Sequence, residues 1–102
     1  MDELTYREKW IMIINHFGLK NQVKKIAEEA YELEEAILDA HGYPIPSEKK
    51  LHIAEEIADL SVLMRQVKEY FCIDENLIDD LIYQKTDRTI ERIGSGYYDS
   101  KR

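Results

Sequence analysis

GYPIPS, residues 42–47, lies near the middle of the chain and decides how the rest can fold. Pro44 and Pro46 remove two backbone donors and push the residues before them out of helical conformation, so no helix can run through. On both sides the pattern is helical, with apolar residues recurring at three and four positions and no alternating strand pattern. The N-terminal arm is expected from about Asn21, as N-cap, to His41. The C-terminal arm is expected from Glu48 to about Phe71, with Ser47 as its N-cap. At roughly 20–24 residues, or ~30–36 Å, each arm is long, and the short break predicts an antiparallel hairpin.

Outward from the hairpin, a first helix is expected from about Asp2 to Phe17, with Leu4, Trp10, Ile11, Ile13, Ile14 and Phe17 on its apolar side. Asp74 is expected to cap a fourth, carrying Leu77, Ile78, Leu81, Ile82 and Ile90. The fold class is therefore all-α, a four-helix chain with a helical domain over 1–93 and a flexible tail over 94–102. A chain of 102 residues holds one domain with a modest core.

Charge narrows the function classes. A net charge of −7 repels phosphate backbones and anionic lipid, which argues against a nucleic-acid polymer or a membrane surface as partner. A small phosphate-bearing ligand remains compatible if metal ions mediate the contact. Cys72 is the single cysteine, so no internal disulfide forms, and a reducing compartment suits it. No apolar run approaches the ~20 residues of a membrane span. MDELTYREKW at the N-terminus lacks the basic flank of a signal peptide. The expected location is cytoplasmic.

EEAYELEE, residues 28–35, places five glutamates in eight positions without a basic residue. Much of this is a solvated helix face, and Glu35 fits that description. Glu29 differs, because its surface neighbours Ile26 and Leu33 are apolar, and Glu32 follows at i+3. The expected apolar stripe of this arm is Val23, Ile26, Ala27, Ala30, Leu33 and Ile37. On the other arm Ile53, Ile57, Leu60, Leu63, Met64, Val67 and Phe71 define the expected buried face. Glu56 falls inside that stripe and Asp59 follows at i+3. A carboxylate among leucines faces a desolvation cost of several kcal/mol unless a counter-charge meets it. Two such pairs on facing arms bring four carboxylates together. Mg²⁺ or Mn²⁺ is the natural counter-charge, since hard divalent ions prefer carboxylate oxygens, whereas zinc lacks its usual Cys or His ligands here. The competing reading pairs these acids with Lys24, Lys25, Lys49 and Lys50. His16, His41 and His52 stand singly and are read as structural or exposed.

KIAEEAYEL (25–33) and EEIADL (55–60) together resemble the signature of the MazG-type all-α nucleoside triphosphate pyrophosphohydrolases, EExxE followed by ExxD. Glu28, Glu29 and Glu32 match the first block and Glu56 and Asp59 the second, with 23 residues between. YQKTDRTIER (83–92) resembles the basic stretch of that family's last helix, in Lys85 and Arg88. Family members often carry Asn two residues before that lysine, where this chain has Tyr83. The likeness spans nearly the whole chain and implies a MazG-like bundle completed by oligomerisation, as a homodimer or homotetramer. It implies hydrolysis of a nucleoside triphosphate to monophosphate and pyrophosphate, with Mg²⁺ on Glu29, Glu32, Glu56 and Asp59. Glu28 is then a further ligand or the group orienting the attacking water. Lys85, Arg88 and Arg92 share one helix face and would hold phosphate oxygens, with surface charge as their plainer reading. Trp10, Phe17 and Tyr31 are candidates for the interface or for stacking on the base. Two alternatives remain: a phosphoribosyl-ATP pyrophosphohydrolase, or a non-catalytic acidic helical interaction module.

Overall fold

Thr5 begins the first helix. Its hydroxyl accepts the Glu8 N–H at 3.1 Å, while the Glu8 carboxylate accepts the Thr5 N–H at 3.0 Å, a reciprocal capping box. In the computed structural model, which describes residues 3–99, α1 therefore runs Tyr6–Phe17. The helix expected from about Asp2 starts later, with Leu4 ahead of this cap and outside the helix, while Asp2 itself lies outside the described residues. Thr5→Ala is expected to cost about 1 kcal/mol of stability, measured by urea unfolding.

Gly18 closes α1 and opens α2, Leu19–Leu38, donating to the Ile14 carbonyl and accepting from Gln22. Its φ of 90° lies where a side chain is strained, so this junction needs glycine. Asn21 is thus not the N-cap of α2. Its side chain donates instead to the Phe17 carbonyl at the end of α1. At the far end α2 stops at Leu38, three residues before His41, with Asp39 as its C-cap, and the Lys49 ammonium binds both the Asp39 carbonyl and its carboxylate. α3 spans Ser47–Tyr70 with Pro46, not Ser47, at the cap position. Pro46 has no N–H to lose and is pre-set for helix entry.

α2 and α3 pack antiparallel, and α1 lies against both. Gln22 meets Gln66 and Asp39 meets Lys49, so the register stays constant over the hairpin. The inward positions of α2 are Leu19, Gln22, Ile26, Glu29, Leu33 and Ala36; along α3 they include Lys49, Ile53, Glu56, Leu60, Leu63 and Val67. Both series alternate steps of three and four, the seam of a left-handed helix pair. The buried apolar core is small: Ile14, Ala36 and Leu63. Trp10 is half-buried, with the Arg65 guanidinium 5.1 Å from its ring centre. Arg7 and Lys68 both bind the buried Glu69 carboxylate, and these hydrogen bonds, Lys68 first, hold its pKa below the usual carboxylate range.

The seam differs from the expected stripes. Val23, Ala27, Ala30 and Ile37 of α2, and Ile57, Met64 and Phe71 of α3, are exposed. Polar Gln22 and Gln66 are buried in place of some of them.

α4, Glu75–Gly94, starts at Asp74, whose carboxylate accepts the Asn76 N–H at 2.9 Å. By internal contacts the chain divides into two compact units, Met1–Cys72 and Ile73–Arg102. Within the second, the helix is followed by a turn in which Tyr97 N–H reaches the Arg92 carbonyl and the Arg92 guanidinium lies over the Tyr97 ring. The chain is all-helical with four helices; among the described residues there is no strand, and no helix is long and apolar enough to cross a membrane.

Candidate metal centre

Helical spacing puts Glu29 and Glu32 on one edge of α2 and Glu56 and Asp59 on one edge of α3. The hairpin register then sets 29 against 59 and 32 against 56, in line with 22 against 66 and 39 against 49. Glu29, Glu32 and Glu56 offer carboxylate oxygens that all lie within 4.8 Å of one another. Asp59 is exposed beside them and lines a groove with Glu29. Glu28 is exposed on the helix surface and is not one of the three converging acids.

Two atoms define the chemistry of this cluster. Oε2 of Glu29 and Oε2 of Glu56 are buried and have no hydrogen-bond partner among the described residues. Buried carboxylate oxygens without partners are costly, and native proteins rarely leave them so. Loss of hydration raises the pKa of both acids. For Glu29 the charges of Glu32, Asp59 and Glu56 add to it; for Glu56 those of Glu32 and Asp59 do, against a small opposing pull from His52. Glu32 lies within hydrogen-bonding reach of both. Both shifts favour the protonated forms of Glu29 and Glu56, and a divalent ion would satisfy their orphaned oxygens and oppose those shifts. The donor set is all carboxylate, which suits Mg²⁺ or Mn²⁺.

The lysines do not neutralise it. Lys49 is engaged by Asp39 at the hairpin turn, and Lys25 has no ion-pair partner among the described residues. His52 approaches closest, its Nδ1 3.9 Å from Glu56 Oε1 one turn away. That contact was readable as an i, i+4 pair, although His52 alone carried no sign of it.

Lys85, Arg88 and Arg92 lie on α4 at one-face spacing, in the second unit. Lys85 and Arg88 are exposed, and Arg92 is half-buried over Tyr97. Trp10 is engaged by Arg65, whereas Phe17 and Tyr31 are exposed. The Gln22–Gln66 pair beside the acids was not anticipated; its signal is the three-and-four spacing of Gln22, Ile26, Glu29 and Leu33, which continues the seam through a polar residue.

No protein-family model, curated protein or solved structure matches the chain.

Proposed function

We propose that this chain is a Mg²⁺-dependent nucleoside triphosphate pyrophosphohydrolase, a hydrolase of acid anhydrides converting (d)NTP and water to (d)NMP and pyrophosphate. The observation that carries the reading is the pair of buried, partnerless carboxylate oxygens, one on Glu29 of α2 and one on Glu56 of α3, in a cluster with Glu32 whose ligand atoms all lie within 4.8 Å of one another. The two motif blocks, EExxE and ExxD, supply the same residues.

In this reading Glu29, Glu32, Glu56 and Asp59 hold Mg²⁺, with Mn²⁺ as a substitute. When bound, such an ion supplies Lewis-acid chemistry, shielding polyphosphate charge and making water more acidic. The acids do the holding, while Glu28 completes the ligand set or orients water from the surface. Lys85, Arg88 and Arg92 take phosphate oxygens as charge-assisted donors. No serine, cysteine or histidine nucleophile is required.

A MazG-like bundle closed by a second copy of the chain belongs to the same proposal. Its support is apolar surface that one copy leaves open: Tyr31, Ile37 and Leu38 of α2 are each more than half exposed, as are Ile82, Ile90 and Ile93 of α4. Monomers rarely leave this much exposed. Sedimentation velocity should give a homodimer or homotetramer, and a monomer at tens of micromolar would contradict it.

The direct test is a screen of ribo- and deoxyribonucleoside triphosphates with Mg²⁺, identifying the released product. Pyrophosphate is expected; orthophosphate, or no turnover on any of them, would overturn the assignment. As controls, Glu35→Gln and Glu48→Gln remove exposed acids outside the cluster. Each should change turnover by less than about twofold, as surface substitutions usually do.

A further inference from the structure

Gln22 and Gln66 stand in a regular relation to the acids. Gln22 precedes Glu29 by seven residues on α2, and Gln66 follows Asp59 by seven on α3. On the other side Asp39 follows Glu32 by seven residues, and Lys49 precedes Glu56 by seven. The arms are therefore tied together at two points, each about two helical turns, or ~10 Å, from the acids. The two ties are unequal. The Asp39 side chain is 67% exposed at the hairpin turn, and an exposed ion pair contributes little against water and salt. Gln22 and Gln66 are 5% and 2% exposed, and Gln22 Nε2 donates to Gln66 Oε1 at 2.9 Å. Burial strengthens that bond electrostatically. It is also directional, whereas Ile26, Leu33, Leu60 and Leu63 attract one another in any register that covers them. The best-attested use of a buried polar pair in an apolar seam is to fix register. The acids need such a fixture. The like charges of Glu32 and Asp59 act on both Glu29 and Glu56, and that repulsion favours any slide of the arms that separates them.

We infer that Gln22 and Gln66 are positioning residues for the metal centre: their bond holds the carboxylates of the two arms at one spacing and thereby favours a small cation. The inference rests on the Mg²⁺-dependent hydrolase reading, and it adds a determinant of cation choice that is not itself a ligand. Mg²⁺ demands near-octahedral geometry with oxygens at ~2.0–2.1 Å, whereas Ca²⁺ accepts irregular sets at ~2.3–2.6 Å. Arms free to slide lose the first kind of site and keep the second.

The test uses the double variant Gln22→Met, Gln66→Met, which replaces both amides by apolar chains of similar length. Ile14→Val is the control, a change in the buried core on α1, outside the hairpin. Mg²⁺ and Ca²⁺ are each titrated calorimetrically into the unaltered chain and both altered ones, with thermal melts alongside. The double variant should bind Mg²⁺ at least about tenfold more weakly, as when residues that orient metal ligands are lost. Its Ca²⁺ binding should change much less, so the ratio of Mg²⁺ to Ca²⁺ affinity falls. Its metal-free Tm should hold or rise, because apolar replacement of both partners in a buried hydrogen bond is close to neutral or stabilising. A pair that only supports the fold gives the opposite pattern, with Tm lowered and the ratio kept, as expected for Ile14→Val. If the unaltered chain binds Mg²⁺ and the double variant keeps its affinity ratio, the positioning role is wrong and the hydrolase reading stands. If the unaltered chain binds no Mg²⁺, both fall. Should the double variant fail to fold, Gln22→Met alone is read by the same ratio.

Discussion

Glu56→Gln is expected to lower Mg²⁺-dependent triphosphate turnover by at least about a hundredfold, because it removes a direct metal ligand where even supporting residues are worth 10–100-fold. The same change should raise Tm in metal-free buffer. Glu56 is 8% exposed, sits on the hairpin seam between Ile53 and Leu60, and carries an oxygen with no partner. An amide of the same shape carries no charge to desolvate and eases repulsion from Glu32 and Asp59. Loss of function with gain of stability separates a site acid from a structural one. A buried ion pair would give the opposite sign on stability. Steady-state kinetics and calorimetric melts of the one variant read both effects; full turnover with Mg²⁺ would withdraw Glu56 from the site.

Metal should stabilise the chain, and the effect should depend on pH in a definite direction. At a hundred times its Kd, a Mg²⁺ ion bound only by the folded state adds about 2.7 kcal/mol. Glu29 and Glu56 have folded pKa values above the ordinary 4.5. Between 4.5 and those raised values the folded chain holds more protons than the unfolded one, so metal-free stability declines as pH rises through that window. Glu8, Asp39 and Glu69 have lowered values, and their contribution is present above the ordinary carboxyl range and lost as pH falls below it. Metal-free stability is therefore expected to be highest on the acid side of neutrality and to fall toward it. Saturating Mg²⁺ should flatten or reverse that fall, because the ion binds ionised carboxylates. The net charge of −7 contributes to the fall as well, so Glu56→Gln is the needed comparison: its metal-free slope above pH 4.5 should be shallower. Equal slopes in the two proteins, with no rise in Tm on adding Mg²⁺, would contradict the cluster.

The hairpin was legible because Pro44 and Pro46 leave no other course, and the acids stood out because Ile26, Leu33, Leu60 and Leu63 surround them at helical spacing. The core was less legible. Val23, Ile37, Ile57 and Met64 are as apolar as the residues that do turn inward, and hydrophobicity alone does not say which face one chain covers. Constant steps of three and four do, and they lead through Gln22 and Ala36 on α2. Thr5 and Glu8 carry a capping-box signature, but apolar Leu4 extends the helical pattern toward the N-terminus and hides the boundary. Gln66 could not be paired with Gln22 from spacing, since their contact spans 44 residues and depends on the register of the hairpin.

Whether carboxylates from both arms close on one divalent ion is answered most directly by anomalous diffraction from a crystal soaked in Mn²⁺. A peak within coordination distance of Glu29, Glu32 and Glu56 is the expected result. Ordered side chains at those three positions with no peak between them would contradict it.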